Sequence, residues 1–377
     1  MNTQRFSKAI AYFVLLTSVL VSCTSTATVA PTDMATPSIT PLPTDTFIPT
    51  PTPTPNRVRD FALSPDGSKI AVYEKDGIFI YDTFTSEKTV LSSGTCTNCG
   101  CESSGVVAFS PDGTKIAASS SYLNNFVEVT DIATGKLLWS TYDIPNGHCV
   151  TEIEFSPESS TIFVRSSYPL TMRCEFPEDI LELYSLSRTS DFSFESRILQ
   201  MRWCRYNPGR IKFLSDGRFY IFLGSLGNSY WVSVGDSKTG QIIEQHEYDI
   251  TKDGWFYDIS QDGQVLATSD STNVFENFGT SIIDSTSKEV LTVVPYFVML
   301  LRDKTEFLVQ DNSQDWKYRH WKLWKNDEIV CTYDGTYGSK MKFSVNGNFL
   351  AAQESETSLQ IWKISTCEKI NTISVSE

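Results

Sequence analysis

One pattern recurs along most of this chain and limits what it can fold into. Phe61 to Tyr73 reads FALSPDGSKIAVY, and Val107 to Ser119 reads VAFSPDGTKIAAS. Looser copies run from Ile153 to Arg165, Ile211 to Leu223, Tyr257 to Ser269, Val298 to Gln310 and Met341 to Gln353. Marked by the residue at the turn glycine, they sit at Gly67, Gly113, Ser159, Gly217, Gly263, Lys304 and Gly347, at intervals of 46, 46, 58, 46, 41 and 43 residues. Each copy is an alternating strand, a tight turn whose Gly or Asn-Gly tolerates φ > 0, and a second strand, which is the pattern of a β-hairpin. A third run follows in each, such as IFIYD (Ile78–Asp82) or VEVTD (Val127–Asp131). A turn of the form Asp-x-x-Thr/Ser and a fourth run close the unit, as in DIATGK (Asp131–Lys136) leading into KLLWST (Lys136–Thr141).

Four antiparallel strands in about 45 residues, repeated, cannot bury both faces of a single sheet, so neighbouring sheets must stack around an axis. The seven copies therefore predict an all-β fold, a seven-bladed β-propeller of four-stranded antiparallel blades spanning residues 57–377. The first blade starts with its innermost strand at about Val58, and the last supplies its own outer strand, Cys367 to Val375. No strand exchange is expected where the ring closes, so blade packing must hold that seam. These repeats resemble bacterial WD-repeat (WD40-like) propellers from Arg57 to the C-terminus. The Trp-Asp position reads Tyr81-Asp82, Thr130-Asp131, Tyr184-Ser185, Gly235-Asp236, Ile283-Asp284, Trp324-Lys325 and Trp362-Lys363, and Gly-His occurs once, at Gly147-His148. These departures make the chain a divergent relative, and the resemblance implies a rigid platform rather than one chemistry.

Ahead of the repeats, residues 1–22 have a signal-peptide layout: basic Arg5 and Lys8, then an apolar run from Ala9 to Val21. The run ends in Leu-Val-Ser-Cys, which resembles a bacterial lipobox. That resemblance implies cleavage before Cys23 and acylation of its sulfur; an ordinary secretory signal or uncleaved anchor is the alternative. Residues 23–56 are almost all Thr, Pro, Ser and Ala, too poor in apolar residues to build a core. Extended at about 3.1 Å per residue, this tether holds a domain up to roughly 100 Å from its anchor. The expected location is lipid-anchored and extracytoplasmic, at the cell membrane or cell surface, with the lipid as the sole membrane contact. A net charge of −14 disfavours nucleic acid as a partner, because phosphate binding rests on Lys and Arg.

Placed on the propeller, Cys96, Cys99 and Cys101 lie between blades 1 and 2, Cys149 between blades 2 and 3, and Cys204 between blades 3 and 4. Cys174 falls in an insertion, Ser166 to Asp179, that accounts for the 58-residue interval. All six belong to the face made by the second-to-third-strand and blade-to-blade loops. An even number in an oxidising compartment favours disulfides. Zinc held by the C-x-x-C-x-C thiolates with His148 is the alternative. Cys331 and Cys367, the remaining disulfide candidates, fall at outer strands of adjacent blades, at positions that look offset.

Catalytic signatures are missing: no G-x-S-x-G elbow, H-E-x-x-H, P-loop or dinucleotide fingerprint occurs. His246, expected at the end of a fourth strand, and His320, opening a third, read as structural. Asp311, Ser313 and Asp315 alternate as in calcium loops but lack the glycine and distal Glu. Val129 to Trp139 resembles a single quinoprotein blade motif and reads as an ordinary turn with a packing Trp. No catalytic residue, metal or cofactor is assigned. Aromatics at the rim of the same face, Tyr168, Trp203, Tyr206, Trp255, Trp316, Tyr318 and Tyr337, form the candidate binding surface for a protein or glycan. The expected function is a monomeric, non-catalytic binding or scaffold module. The alternative is a glycosidase- or lactonase-like hydrolase using acids of the axial channel, such as Asp60, Glu152 and Asp258.

Overall fold

A computed structural model of the chain describes residues 57–375 apart from 75, 94–104, 121–125, 142–147, 168–178, 187–196, 204–209, 225–228, 250–254, 270–278, 295–297, 302–304, 312–317, 326–327 and 337–339. The signal-peptide, lipidation and tether expectations, with Cys23, lie outside the described residues.

Seven four-stranded antiparallel sheets form the fold, each from consecutive strands. Blade 1 is β1 (Asp60–Leu63), β2 (Lys69–Glu74), β3 (Gly77–Asp82) and β4 (Lys88–Ser93). Blade 2 is β5 (Val107–Phe109), β6 (Lys115–Ser120), β7 (Phe126–Asp131) and β8 (Leu137–Thr141). Blade 3 is β9 (Cys149–Phe155), β10 (Thr161–Ser167), β11 (Asp179–Ser185) and β12 (Arg197–Trp203). Blade 4 is β13 (Arg210–Phe213), β14 (Arg218–Gly224), β15 (Ser229–Asp236) and β16 (Ile242–Asp249). Blade 5 is β17 (Trp255–Ile259), β18 (Val265–Ser269), β19 (Thr280–Asp284) and β20 (Val290–Val294). Blade 6 is β21 (Val298–Leu300), β22 (Glu306–Asp311), β23 (Tyr318–Lys325) and β24 (Glu328–Thr336). Blade 7 is β25 (Met341–Phe343), β26 (Phe349–Ser355), β27 (Ser358–Lys363) and β28 (Glu368–Ser374).

The turns explain the repeat. In the first hairpin the Ser64 hydroxyl donates to Asp66 Oδ1 at 2.7 Å and accepts the Lys69 N–H at 2.9 Å, while Gly67 takes φ 71°. Ser110, Asp112 and Gly113 rebuild the same turn in blade 2. Blade 3 has Ser159 at the glycine position, at φ 58°. Between third and fourth strands, Asp82, Asp131, Asp236 and Asp284 cap the turn by accepting backbone N–H groups two or three residues on. The Thr134 and Thr239 hydroxyls, then the backbone bonds, hold the carboxyls of Asp131 and Asp236 below the usual range, and at Asp82 the backbone bonds lead. The Asp of each Trp-Asp position thus serves its own turn.

Each pair of neighbouring blades shares a core, and the second strands are buried on both faces, while outer-strand residues such as Val90, Leu137 and Val290 are exposed. Phe61, Leu63, Ile70 and Val72 face blade 7, packing with Ala351, Leu359, Ile361 and Ile373. Their alternates Ala62, Ala71 and Tyr73 face blade 2, packing with Val107, Phe109 and Ile116. Two-sided burial is why the second strands read as continuous apolar runs rather than alternating ones.

Ring closure uses no exchanged strand, since β1 and β28 stay in their own sheets. Besides the shared core, the seam has a backbone bond from Val58 N–H to the Glu356 carbonyl (2.8 Å) and an ion pair between Arg57 and Glu356 (2.9 Å). The Asn371 amide also donates to the Thr83 carbonyl at 2.9 Å.

The candidate cysteines Cys331 and Cys367 form a disulfide, with Cα atoms 5.7 Å apart, and two expected positions need correcting. Cys367 is not on the outer strand: it follows the 3₁₀ turn Ile364–Thr366 at φ 57°, ahead of β28. That turn carries it to the end of blade 7 where Cys331 of β24 lies, which removes the offset. His246 also sits within β16, paired with Val232, rather than at its end.

Candidate functional site

The innermost strands ring the axial channel, and their acids are tied across blades. Asp60 Oδ2 accepts the Val107 N–H of blade 2 at 3.0 Å and the Lys342 ammonium of blade 7 at 2.6 Å. Lys340 Nζ lies 3.6 Å from the other oxygen. Asp258 of blade 5 repeats the device: Oδ2 accepts the Leu300 N–H of blade 6 at 2.7 Å, and Oδ1 accepts Lys212 of blade 4 at 2.8 Å. In both cases the lysine also donates to the carbonyl of the residue that supplies the amide, Val107 or Leu300, at 3.5 and 3.2 Å. A lysine, an acid and an amide from three successive blades form one link. The charges suit this role, because a buried carboxylate is tolerated when paired and hydrogen-bonded.

Blade 3 has the acid but not the lysine. Glu154 accepts the Phe213 N–H of blade 4 at 3.4 Å. The preceding blade presents Ala108 at the position of Lys212 and Lys342, as the pairings Ala108↔Ala117, Lys212↔Tyr220 and Lys342↔Ala351 show. Glu154 retains some accessible surface but is closely surrounded by protein; that burial, reinforced by the Glu152 carboxylate, pushes its carboxyl up to about 8. Glu152 itself lies 3.7 Å from the Arg165 guanidinium. Sequence reading named Asp60, Glu152 and Asp258 but missed Glu154; the signal was an acid facing a blade whose matching position holds alanine.

At the rim, Trp203 ends β12 opposite Asp179, Trp255 opens β17 opposite Ser269, and Tyr318 opens β23 opposite Thr336. All three are on the upper face, the one carrying the second-to-third-strand and blade-to-blade connections. Tyr168, Tyr206, Trp316 and Tyr337 lie outside the described residues. So do Cys96, Cys99, Cys101, Cys174 and Cys204. Cys149, buried at the start of β9, is disulfide-bonded, its partner lying outside the described residues. His148 is buried beside it. Among the described residues no three His, Cys, Asp or Glu side chains converge as a metal site requires. Asp311 ends β22 opposite His320, while Ser313 and Asp315 lie outside the described residues. In the Val129 to Trp139 segment, Thr134 donates to Asp131 at 2.6 Å and Trp139 packs on Tyr184, ring centroids 5.2 Å apart. That segment is a turn followed by a core Trp.

Buried glutamates take up two of the aromatic Trp-Asp positions. The Tyr81 hydroxyl donates to Glu74 at 2.6 Å, and Glu74 pairs with Lys88 at 3.1 Å. Tyr184 donates to Glu182 at 2.8 Å, and Glu182 pairs with Arg197 at 2.9 Å. These groups knit strands within a blade and face no open site.

No family model matches the chain, and no curated protein matches it. Among solved structures it is similar to Kuenenia stuttgartiensis hydrazine synthase, at 15% identity and a TM-score of 0.45, over 85% of this chain and 81% of that one. A likeness this distant carries no argument about activity.

Proposed function

We propose that the protein is a lipid-anchored, extracytoplasmic propeller that binds a protein or glycan through its upper face and does not transform it. The observation that carries this reading is the use of the channel acids: Asp60 and Asp258 are each committed to a lysine and a neighbouring blade's amide. Carboxylates so engaged stiffen the ring and are poor proton shuttles. A rigid ring with aromatic strand ends on one face suits recognition, where aromatic anchors concentrate binding energy. The test introduces photo-crosslinking residues in place of Trp203, Trp255 and Tyr318 in cells. Capture of one defined envelope component from these positions, but not from the lower turns, supports the reading. Replacement of Cys23 by Ser releases the protein from the membrane if the anchor is as proposed.

One observation favours the hydrolase alternative. Glu154, its carboxyl pushed up to about 8, feels the charge of Glu152, and a carboxyl protonated near neutrality beside a second one suits acid–base hydrolysis. Turnover of glycosides or lactones by the pure domain, lost in Glu154→Gln, overturns the non-catalytic reading.

A further inference from the structure

A cleft of about 370 Å³ opens between blades 4 and 5, away from the upper face. Its origin lies in the repeat. The position taken by Ala71 in β2 is filled by Ala117, Phe163, Ala267, Leu308 and Ala351 in five other blades, and all six residues are fully buried. Blade 4 has Tyr220 there, and it is only partly buried. The core beneath, Leu214, Phe222, Val232, Ile259 and Leu266, is the smallest of the seven interblade cores among the described residues. The tyrosine ring stands where other blades close, packed in part on this core, with the blade 5 turns at Asp262 to Gln264 and Ser285 to Thr286 lining the open side.

We infer that this cleft is a binding site for an uncharged sugar, a neutral oligosaccharide with one pyranose ring seated on Tyr220. Ring faces line the floor: Tyr220 stacks with Phe222 at 28° and 6.4 Å, and Tyr248 meets His246 edge-on at 6.4 Å. The volume lies within the 300–1,000 Å³ range of ligand clefts and suits one or two sugar rings. Arg218, Glu244, Asp262, Gln264, Ser285 and Thr286 add hydrogen-bonding groups to the same lining. A pyranose matches that layout, with C–H faces for the aromatics and hydroxyls at its edge. The lining charges cancel. Arg218 and Lys288 are opposed by Glu244 and Asp262, Arg218 is held by Asp216 at 2.7 Å, and Glu244 reaches His246 at 3.3 Å. A charged ligand gains little net attraction from such a set, whereas guanidinium donors and carboxylate acceptors can both engage sugar hydroxyls. The cleft is separate from the upper face, so the fate of one reading does not decide the other.

The experiment is saturation-transfer difference NMR of the tethered domain with cellotetraose, maltotetraose, chitotetraose and mannotetraose, beside oligogalacturonate as an anionic probe. One neutral oligosaccharide is expected to receive saturation at ring C–H protons. Its affinity should fall about tenfold in Tyr220→Ala. His246→Ala and Glu244→Gln, on the exposed outer strand, should weaken it without loss of fold, and Leu138→Ala, on the exposed outer strand of blade 2, should leave it unchanged. Binding of oligogalacturonate alone, binding of no probe, or affinity unaffected by Tyr220→Ala and His246→Ala would overturn the assignment. If Tyr220→Ala does not fold, the two outer-strand variants decide.

Discussion

Lys342 on the innermost strand of the last blade places its ammonium 2.6 Å from Asp60 Oδ2 on the innermost strand of the first, 282 residues away in sequence. With the Val107 N–H on the same oxygen, this contact joins blades 7, 1 and 2 at the point where the ring closes. It is the polar counterpart of the shared core that substitutes for an exchanged strand.

Lys342→Met should therefore destabilise the fold more than Asp60→Asn. The first leaves a buried carboxylate short of its cation, a change that costs about 3–5 kcal/mol where no other cation is near. Here Lys340, 3.6 Å from Oδ1, reduces that loss. Asn at 60 keeps an acceptor for Val107 and removes the charge. Urea denaturation of the two variants checks the order; equal losses would mean that the ion pair contributes little to closure.

Gly67, Gly113 and Gly135 have nearly the same backbone, φ 71°, 71° and 67°, but different surroundings. A Cβ at Gly135 meets nothing within 4 Å, at Gly113 it meets Pro65 at 3.5 Å, and at Gly67 it would lie 2.4 Å from the Phe349 ring across the seam. Gly135→Ala and Gly113→Ala should each cost about 1 kcal/mol for the left-handed backbone. Gly67→Ala should cost roughly 1–3 kcal/mol more, from overpacking. Thermal unfolding of the three variants measures the difference.

The disulfide between Cys331 and Cys367 spans 36 residues and staples blade 6 to blade 7. Replacing both cysteines by alanine should cost about 4 kcal/mol, on the chain-entropy account. Mass analysis of the unreduced protein should show a peptide joining these two segments, and its absence would refute the bridge.

Glu154 gives a pH signature. Its ordinary value is 4.5 and the folded chain pushes it up to about 8. The native state therefore holds a proton that the unfolded chain releases between those values. Its stability is unpenalised below the unfolded value and is lost as pH rises through the folded one. Glu154→Gln should match the natural chain near about pH 4 and exceed it in stability by a growing margin to about pH 9. A margin that stays constant with pH would contradict the raised carboxyl.

Ala108→Lys should supply the missing cation of blade 2. It is expected to pair with Glu154, as Lys212 and Lys342 contact Asp258 and Asp60, and so to lower the Glu154 carboxyl and flatten that pH dependence. NMR titration of the Glu154 carboxyl carbon reads the shift directly. A titration unchanged from that of the natural chain would show that a lysine at 108 does not reach the acid.

Blade number, strand order and turn chemistry were legible in the sequence because they are local. Short apolar runs and a Ser-Pro-Asp-Gly turn need only near neighbours, and Ser64, Asp66 and Gly67 make the bonds their types allow. The absent strand exchange was legible too, from where the first and last runs fall. What only the tertiary structure decided lies between blades. Lys342 and Asp60 meet because stacking brings distant inner strands together, and no spacing rule links them. Cys367 reaches Cys331 because a 3₁₀ turn redirects it. Glu154 became distinctive only against the alanine of the blade before it. Tyr220 looked like one more strand aromatic until the packing left it open while its six counterparts closed. The chain encodes each blade in about 45 consecutive residues, but the channel and the cleft depend on contacts among blades, which become defined only when the ring is shut.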